Sequence, residues 1–202
     1  LIDIRGNGRL KIKDTGNNWE IRNVGIKGQH DGQTFAVTPG VSSGSGKAVI
    51  DNVYMLDGER PRQFGGGFWV DANLPHQGTI DFRRLSLAHF VHNGLYASGP
   101  GYQGAGGIVN VYDSYFYSNN IANIRTSARG GTPRVDNTTV KVDGTTPPCG
   151  DGCSKPGAVN NRGIWSFYGT TRVSNSDIQG SIIGQKGGSV STSNTQTGAQ
   201  AD

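Results

Sequence analysis

Long apolar runs are absent from this chain: no window of eighteen residues is apolar throughout, which excludes a helical membrane span. Cysteine is scarce, with two residues at 149 and 153, and no further Cys or nearby His completes a structural zinc site. Acidic residues are few, fifteen against nineteen basic ones, and they nowhere cluster as calcium ligands do. No signal-peptide pattern opens the chain. It starts at Leu1, without Met, directly on the alternating Leu1-Ile2-Asp3-Ile4, which reads as a processed chain or the ordered part of a longer one. Apolar residues make up only 33% of the 202, a modest share that suits one domain with a narrow core and much surface.

Glycine is what the chain has in plenty. Its 33 residues, with 8 prolines, are spread without low-complexity runs, so turns are frequent. Twelve of the nineteen basic residues are arginine, and the net charge is +4. A mild positive excess suits an anionic polymer such as a polyuronate, a sulfated glycan or, more weakly, a nucleic acid. The alternative is a thin charge spread over a large surface with no partner.

One short pattern organises the rest. In Ile50-Asp51-Asn52-Val53-Tyr54-Met55 the apolar residues fall at 50, 53 and 55, so the inward parity of a strand slips by one at Asn52. Asn tolerates the left-handed backbone of a tight corner, so the segment predicts two short strands joined by a one-residue bend, both facing one core. Copies begin at Ile21, Phe82, Val111, Val135 and Val173, with a faint last one at Val190. The steps along the series are 29, 32, 29, 24, 38 and 17 residues. A unit of this kind cannot bury its own apolar edge, so repeats near this period predict stacked coils. Equivalent residues would lie roughly 4.8 Å apart, with the Asn corners forming a hydrogen-bonded ladder.

These repeated Ile/Val-x-Asn-Val/Ser-x-apolar coils in a Gly-rich chain resemble the right-handed parallel β-helix proteins of the pectate-lyase-like superfamily, over about residues 10 to 197. The resemblance implies an all-β fold: a single-stranded right-handed parallel β-helix, or solenoid, with loop insertions. That superfamily holds polysaccharide lyases, glycoside hydrolases, tailspikes and adhesins, so fold alone does not choose a function. The expected layout is a helix domain over 1–187 and a frayed last coil with a polar tail over 188–202. The insertions fall at 58–67, 99–107 and 145–161. Cys149 and Cys153 lie in the last of these, where a small disulfide and an oxidising, extracellular or cell-surface setting are the leading reading. A pair of free thiols is the alternative.

An internal offset points to a surface. Leu95 follows Phe82 by 13 residues and Ile124 follows Val111 by 13, and Phe68 and Ile164 suit the same place. If those four point inward, Trp69, Tyr96, Arg125 and Trp165 point outward and stack on neighbouring coils. Aromatic rings can stack on pyranose C–H faces, and a guanidinium can fork onto carboxylate or sulfate. Arg129 and Arg162 add substrate-binding charge nearby. Two other readings stand beside sugar contact: a parity error that turns the rings into the core, and an assembly face that makes a homo-oligomer.

Catalytic signals are thinner. Hydrolysis would use two carboxylates, and Asp71 and Asp113 are the only candidates near the row, Asp113 reading also as a corner residue. No triplet of acids like that of the polygalacturonase-like hydrolases is present. Lyases resembling this fold use an Arg base and calcium held by acids. The resemblance alone therefore raises calcium, and no cofactor is identified from the residues. Arg125 would be that base, with His92 and Asp71 as further catalytic candidates, His92 being suited in pKa to proton transfer. The chain thus reads as an extracellular carbohydrate-interacting β-helix for an anionic polysaccharide. As an enzyme it would be a lyase rather than a hydrolase. The alternative is a self-assembling structural, tailspike or adhesin-type helix.

Overall fold

Few residues other than glycine tolerate a left-handed backbone, asparagine foremost, and the coils turn on that tolerance. The computed structural model describes residues 1–3, 10–11, 18–31, 34–61, 63–70, 76–98 and 106–198. Within them φ is 60° at Asn23, 56° at Asn52, 47° at Asn137, 50° at Asn175 and 45° at Asn194, with Arg84 and Asp113 at the equivalent corners. Each corner reverses the side-chain parity, so Ile50, Val53 and Met55 are all buried although the strand Lys47–Met55 runs straight through Asn52.

The described residues form twenty strands and no helix, and all their strand pairings are parallel. They make a parallel β-helix with three walls. Two walls meet at the left-handed corner and belong to one 13-stranded sheet, and a 7-stranded sheet forms the third. The register matches the repeat: Ile21, Ile50, Phe82, Val111, Val135 and Val173 pair one after another. From Ile50 to Val173 they are fully buried, each large side chain contributing about 1.5–3 kcal/mol by leaving water. The last repeat corrects the sequence reading by two residues, because Thr192, not Val190, pairs with Val173. The corner Asn194 sets the phase there, where the core position is no longer apolar.

The expected ladder exists, but on the outside. Asn52 Nδ2 donates to Asn23 Oδ1 at 2.8 Å, Asn137 to Asp113 at 2.7 Å and Asn194 to Asn175 at 2.8 Å, all at exposed corners. Inside the coils buried hydroxyls serve instead: Ser114 Oγ accepts from Leu85 N, and Ser176 Oγ from Thr138 N, both at 3.1 Å. Arg84 interrupts the ladder and reaches back to Asp51, with two contacts of 2.7 Å. Residues 189–193 and 196–197 add two further paired strands with largely exposed side chains.

Cys149 and Cys153 form a disulfide, with Cα atoms 6.1 Å apart. No helix among the described residues is long and apolar enough to cross a membrane.

Candidate functional site

The third wall carries the outward row. Phe68, Leu95, Ile124 and Ile164 pair in register and are buried, which turns the next residue of each strand outward. Trp69 therefore pairs with Tyr96, Tyr96 with Arg125, and Arg125 with Trp165, all four half-buried. Trp69 and Tyr96 stack at 6.3 Å between centroids and 10° between planes. The Arg125 guanidinium lies 4.3 Å from the Tyr96 ring centre, 4.3 Å from Trp165 and 4.5 Å from Phe167. Three rings thus hold one cation, each contact contributing between about 0.5 and 2 kcal/mol as water is excluded.

One end of the row is covered. Phe35 sits 5.6 Å from Trp69 and 5.7 Å from Tyr96, and is itself buried. Strict alternation with Val37 would send Phe35 inward, but the chain bends at Ala36 and lays the ring over the row. Ala36 N donates to Gly66 O at 2.8 Å, which ties this turn to the insertion at 58–67. His92 packs edge-on to Phe35 at 5.2 Å and to Phe64 at 4.7 Å. Burial, reinforced by the nearby Arg125 charge, pushes its pKa down to about 3, so the ring is neutral at physiological pH. The Asn93 amide lies 2.7 Å from Nδ1; with that amide donating, the imidazole proton sits on Nε2.

Beyond the cover the row opens into a pocket of about 390 Å³. It is lined by Arg125, Trp165 and Arg162 of the wall, by Phe64 and His92, and by Cys153, Ser154, Lys155 and Asn160 of the disulfide loop and its end. Arg162 lies 4.5 Å over the Trp165 ring and donates to Ile121 O at 3.0 Å. The disulfide loop is clasped by Asn120, whose side chain donates to Pro147 O and Ala158 O at 2.9 and 2.8 Å and accepts from Asn160 N at 2.8 Å. That clasp gives the wall a fixed position from both ends of the insertion.

The electrostatics are one-sided. Three cations line the pocket and, among the described residues, no carboxylate does. Burial holds both Arg125 and Arg162 below the usual guanidinium range, and among the described residues no Asp or Glu offsets it at either residue. Arg125 Nε and Trp165 Nε1 are buried donors without a hydrogen-bond partner among the described residues. Among the described residues no group of three or more His, Cys, Asp or Glu is arranged to hold a metal ion, so these residues do not fit a calcium site.

The other candidates scatter. Arg129 stacks on Tyr168 at 4.1 Å, outside the pocket lining. Asp113 is a corner residue that bonds Asn137 and lines a different cleft, with Arg84 and Asp51. His89, three residues before His92 in the sequence, has φ 58° and packs edge-on to Tyr117 at 4.9 Å. Asp71 lies outside the described residues. Sequence reasoning missed Phe35, Phe64, Lys155, Asn160, Phe167 and Tyr168. Of these, Phe167 was readable, because it is two residues from Trp165 on one strand and so shares its face.

Fold and site together define a class: a parallel β-helix with a basic, aromatic pocket on one wall. In comparisons with known proteins, no family model matches the chain, and no curated protein or solved structure matches it.

Proposed function

We propose that the protein is an extracellular, pectate-lyase-like β-helix that binds an anionic polysaccharide at the third-wall pocket. The observation that carries this is Arg125, a desolvated cation held by aromatic faces with no carboxylate of the described residues paired to it. Such a group keeps its donors for an incoming carboxylate or sulfate, each charge-assisted bond contributing roughly 1.5–3 kcal/mol. The rings of the row face each other and the guanidinium, so they position the cations rather than offer free faces to sugars. The same occupancy disfavours a nucleic acid, whose bases need an open ring face. The disulfide supports an oxidising compartment.

Binding is favoured over elimination. With its proton on Nε2 and its pKa near 3, His92 is a neutral donor in the pocket, not a base aimed at a substrate C–H. A lyase step would fall to Arg125, whose pKa burial lowers, the direction a base requires. Self-assembly through the row is less well supported, since the exposed large hydrophobics among the described residues, Leu1, Ile2, Tyr54 and Val159, all lie outside it.

The test is calorimetric titration of the chain with polygalacturonate and with heparin at low and high salt, beside ultraviolet detection of unsaturated uronate. Arg125→Ala is expected to weaken binding by roughly ten- to a hundredfold, most at low salt. Unchanged affinity in that variant would remove the proposal. Accumulation of unsaturated product would add catalysis to it.

A further inference from the structure

The basic surface does not stop at the pocket. Along the strand Arg162–Phe167, Trp165 and Phe167 share the outward face with ring centres 5.1 Å apart, and Tyr168 follows at 5.9 Å from Phe167. Tyr168 sits in a left-handed corner, φ 57°, just past the end of the strand. Each ring has cations against it. Arg162 lies over Trp165 at 4.5 Å, Arg125 contacts Trp165 and Phe167, and Arg129 covers Tyr168 at 4.1 Å, with Lys186 Nζ at 5.8 Å from the same ring. Arg129 and Arg162 form no ion pair with a described residue.

Resting on the reading of the pocket as an anion site, we infer that the ligand is a polyanion lying along this strand, with a second charge-binding point at Arg129 and Tyr168. Geometry sets the direction. The other route, along the helix axis over Tyr96 and Trp69, is closed by Phe35, Phe64 and His92. Scale sets the valence: Trp165, which carries Arg125 and Arg162, and Tyr168, which carries Arg129, are three residues apart, on the order of 10 Å of extended chain and more than the few ångströms across one sulfate or carboxylate. Repeated negative groups on one chain can reach both points, and the second contact then forms intramolecularly at high effective concentration.

The test measures the affinity of the full chain for a fully sulfated heparin disaccharide and octasaccharide. The variants are Arg129→Gln, Arg125→Ala and, as a control for lost charge elsewhere, the exposed Arg172→Gln. The parent should bind the octasaccharide at least roughly tenfold tighter per site than the disaccharide. Arg129→Gln should lower octasaccharide affinity roughly three- to tenfold, leave the disaccharide unchanged, and exceed the effect of Arg172→Gln. Arg125→Ala should weaken both oligosaccharides. Equal affinity of the parent for the two lengths, or equal effects of Arg129→Gln and Arg172→Gln, overturns the two-point site while leaving the pocket reading intact. No effect of Arg125→Ala on either probe instead removes the pocket reading beneath it. An oligothymidylate that competes equally and depends equally on Arg129 overturns the glycan as ligand.

Discussion

Arginine is used in two opposite ways on this helix. At the left-handed corners Arg22 and Arg84 share the carboxylate of Asp51, and Arg83 pairs with Asp81 at 3.1 Å. There the Arg84 bonds hold Asp51 below the usual carboxylate range, and Arg84 itself is raised. On the third wall Arg125 and Arg162 have rings in place of acids, and burial lowers both. The first set has its charge cancelled where it stands, and it holds coils together. The second keeps its charge, and Arg125 its donors, for something else. A count of arginines, or the net charge, does not separate the two.

The largest effect expected concerns what supports the second set. Glu59 is buried, accepts from Gly65 N at 2.9 Å, and so anchors the insertion that covers the row. Burial pushes its pKa up to about 9 from an unfolded value near 4.5. A carboxyl with a raised folded pKa gives its stability below the unfolded pKa and loses it as pH rises to the folded one. Stability should therefore fall between pH 4.5 and about 9, by on the order of several kcal/mol, and level off above. Urea midpoints across that range check this, and Glu59→Gln should flatten the slope. On the acid side His76 and His92, depressed to about 4 and about 3, work the other way, and their contribution is lost as pH falls below about 6.5.

Next in size is the contrast itself. Arg125→Ala should weaken glycan binding by roughly 1.5–3 kcal/mol, whereas Arg84→Ala should leave affinity untouched. Equal losses in the two would show that only bulk charge matters. A smaller effect, on stability alone, is expected at the corner beneath Arg84. Asn52→Leu should cost about 1–3 kcal/mol, combining a left-handed Leu with a lost bond to Asn23. Asn52→Gly should cost less, since it keeps the backbone and loses only the bond. Smallest is the stability change in Arg84→Ala, because Arg22 remains on Asp51. It should shrink further with added salt, as an exposed pair does.

How much of this was legible in the residues follows from range. The corner pattern is local, three or four residues whose parity slips at a side chain that tolerates a left-handed turn, and it located the coils. The common offset of 13 then placed Tyr96 beside Arg125 before any coordinates. Where the local signal weakened, the reading slipped, as at Val190, whose place in the core column Thr192 takes. Alternation also failed at Phe35, because a bend at Ala36 overrides the period of two. The buried amides gave no sequence signal. Asn119 accepts from Phe90 N and donates to Leu87 O and Asn123 Oδ1, and Asn120 clasps the disulfide loop. In the sequence both stand in an ordinary polar turn.

The sequence by itself determined the repeat, the left-handed corners, the parity of the three walls and therefore which side chains could share a surface, because each depends on a few neighbouring residues and a fixed strand period. Only the tertiary structure decided which arginines are cancelled and which are not. That depends on whether a carboxylate or a ring from another coil, typically some thirty residues away, arrives beside each guanidinium, as Asp51 does at Arg84 and Tyr96 at Arg125. It also decided that one end of the row is closed by Phe35 and the other open, since insertions fold back by contacts that no local period encodes.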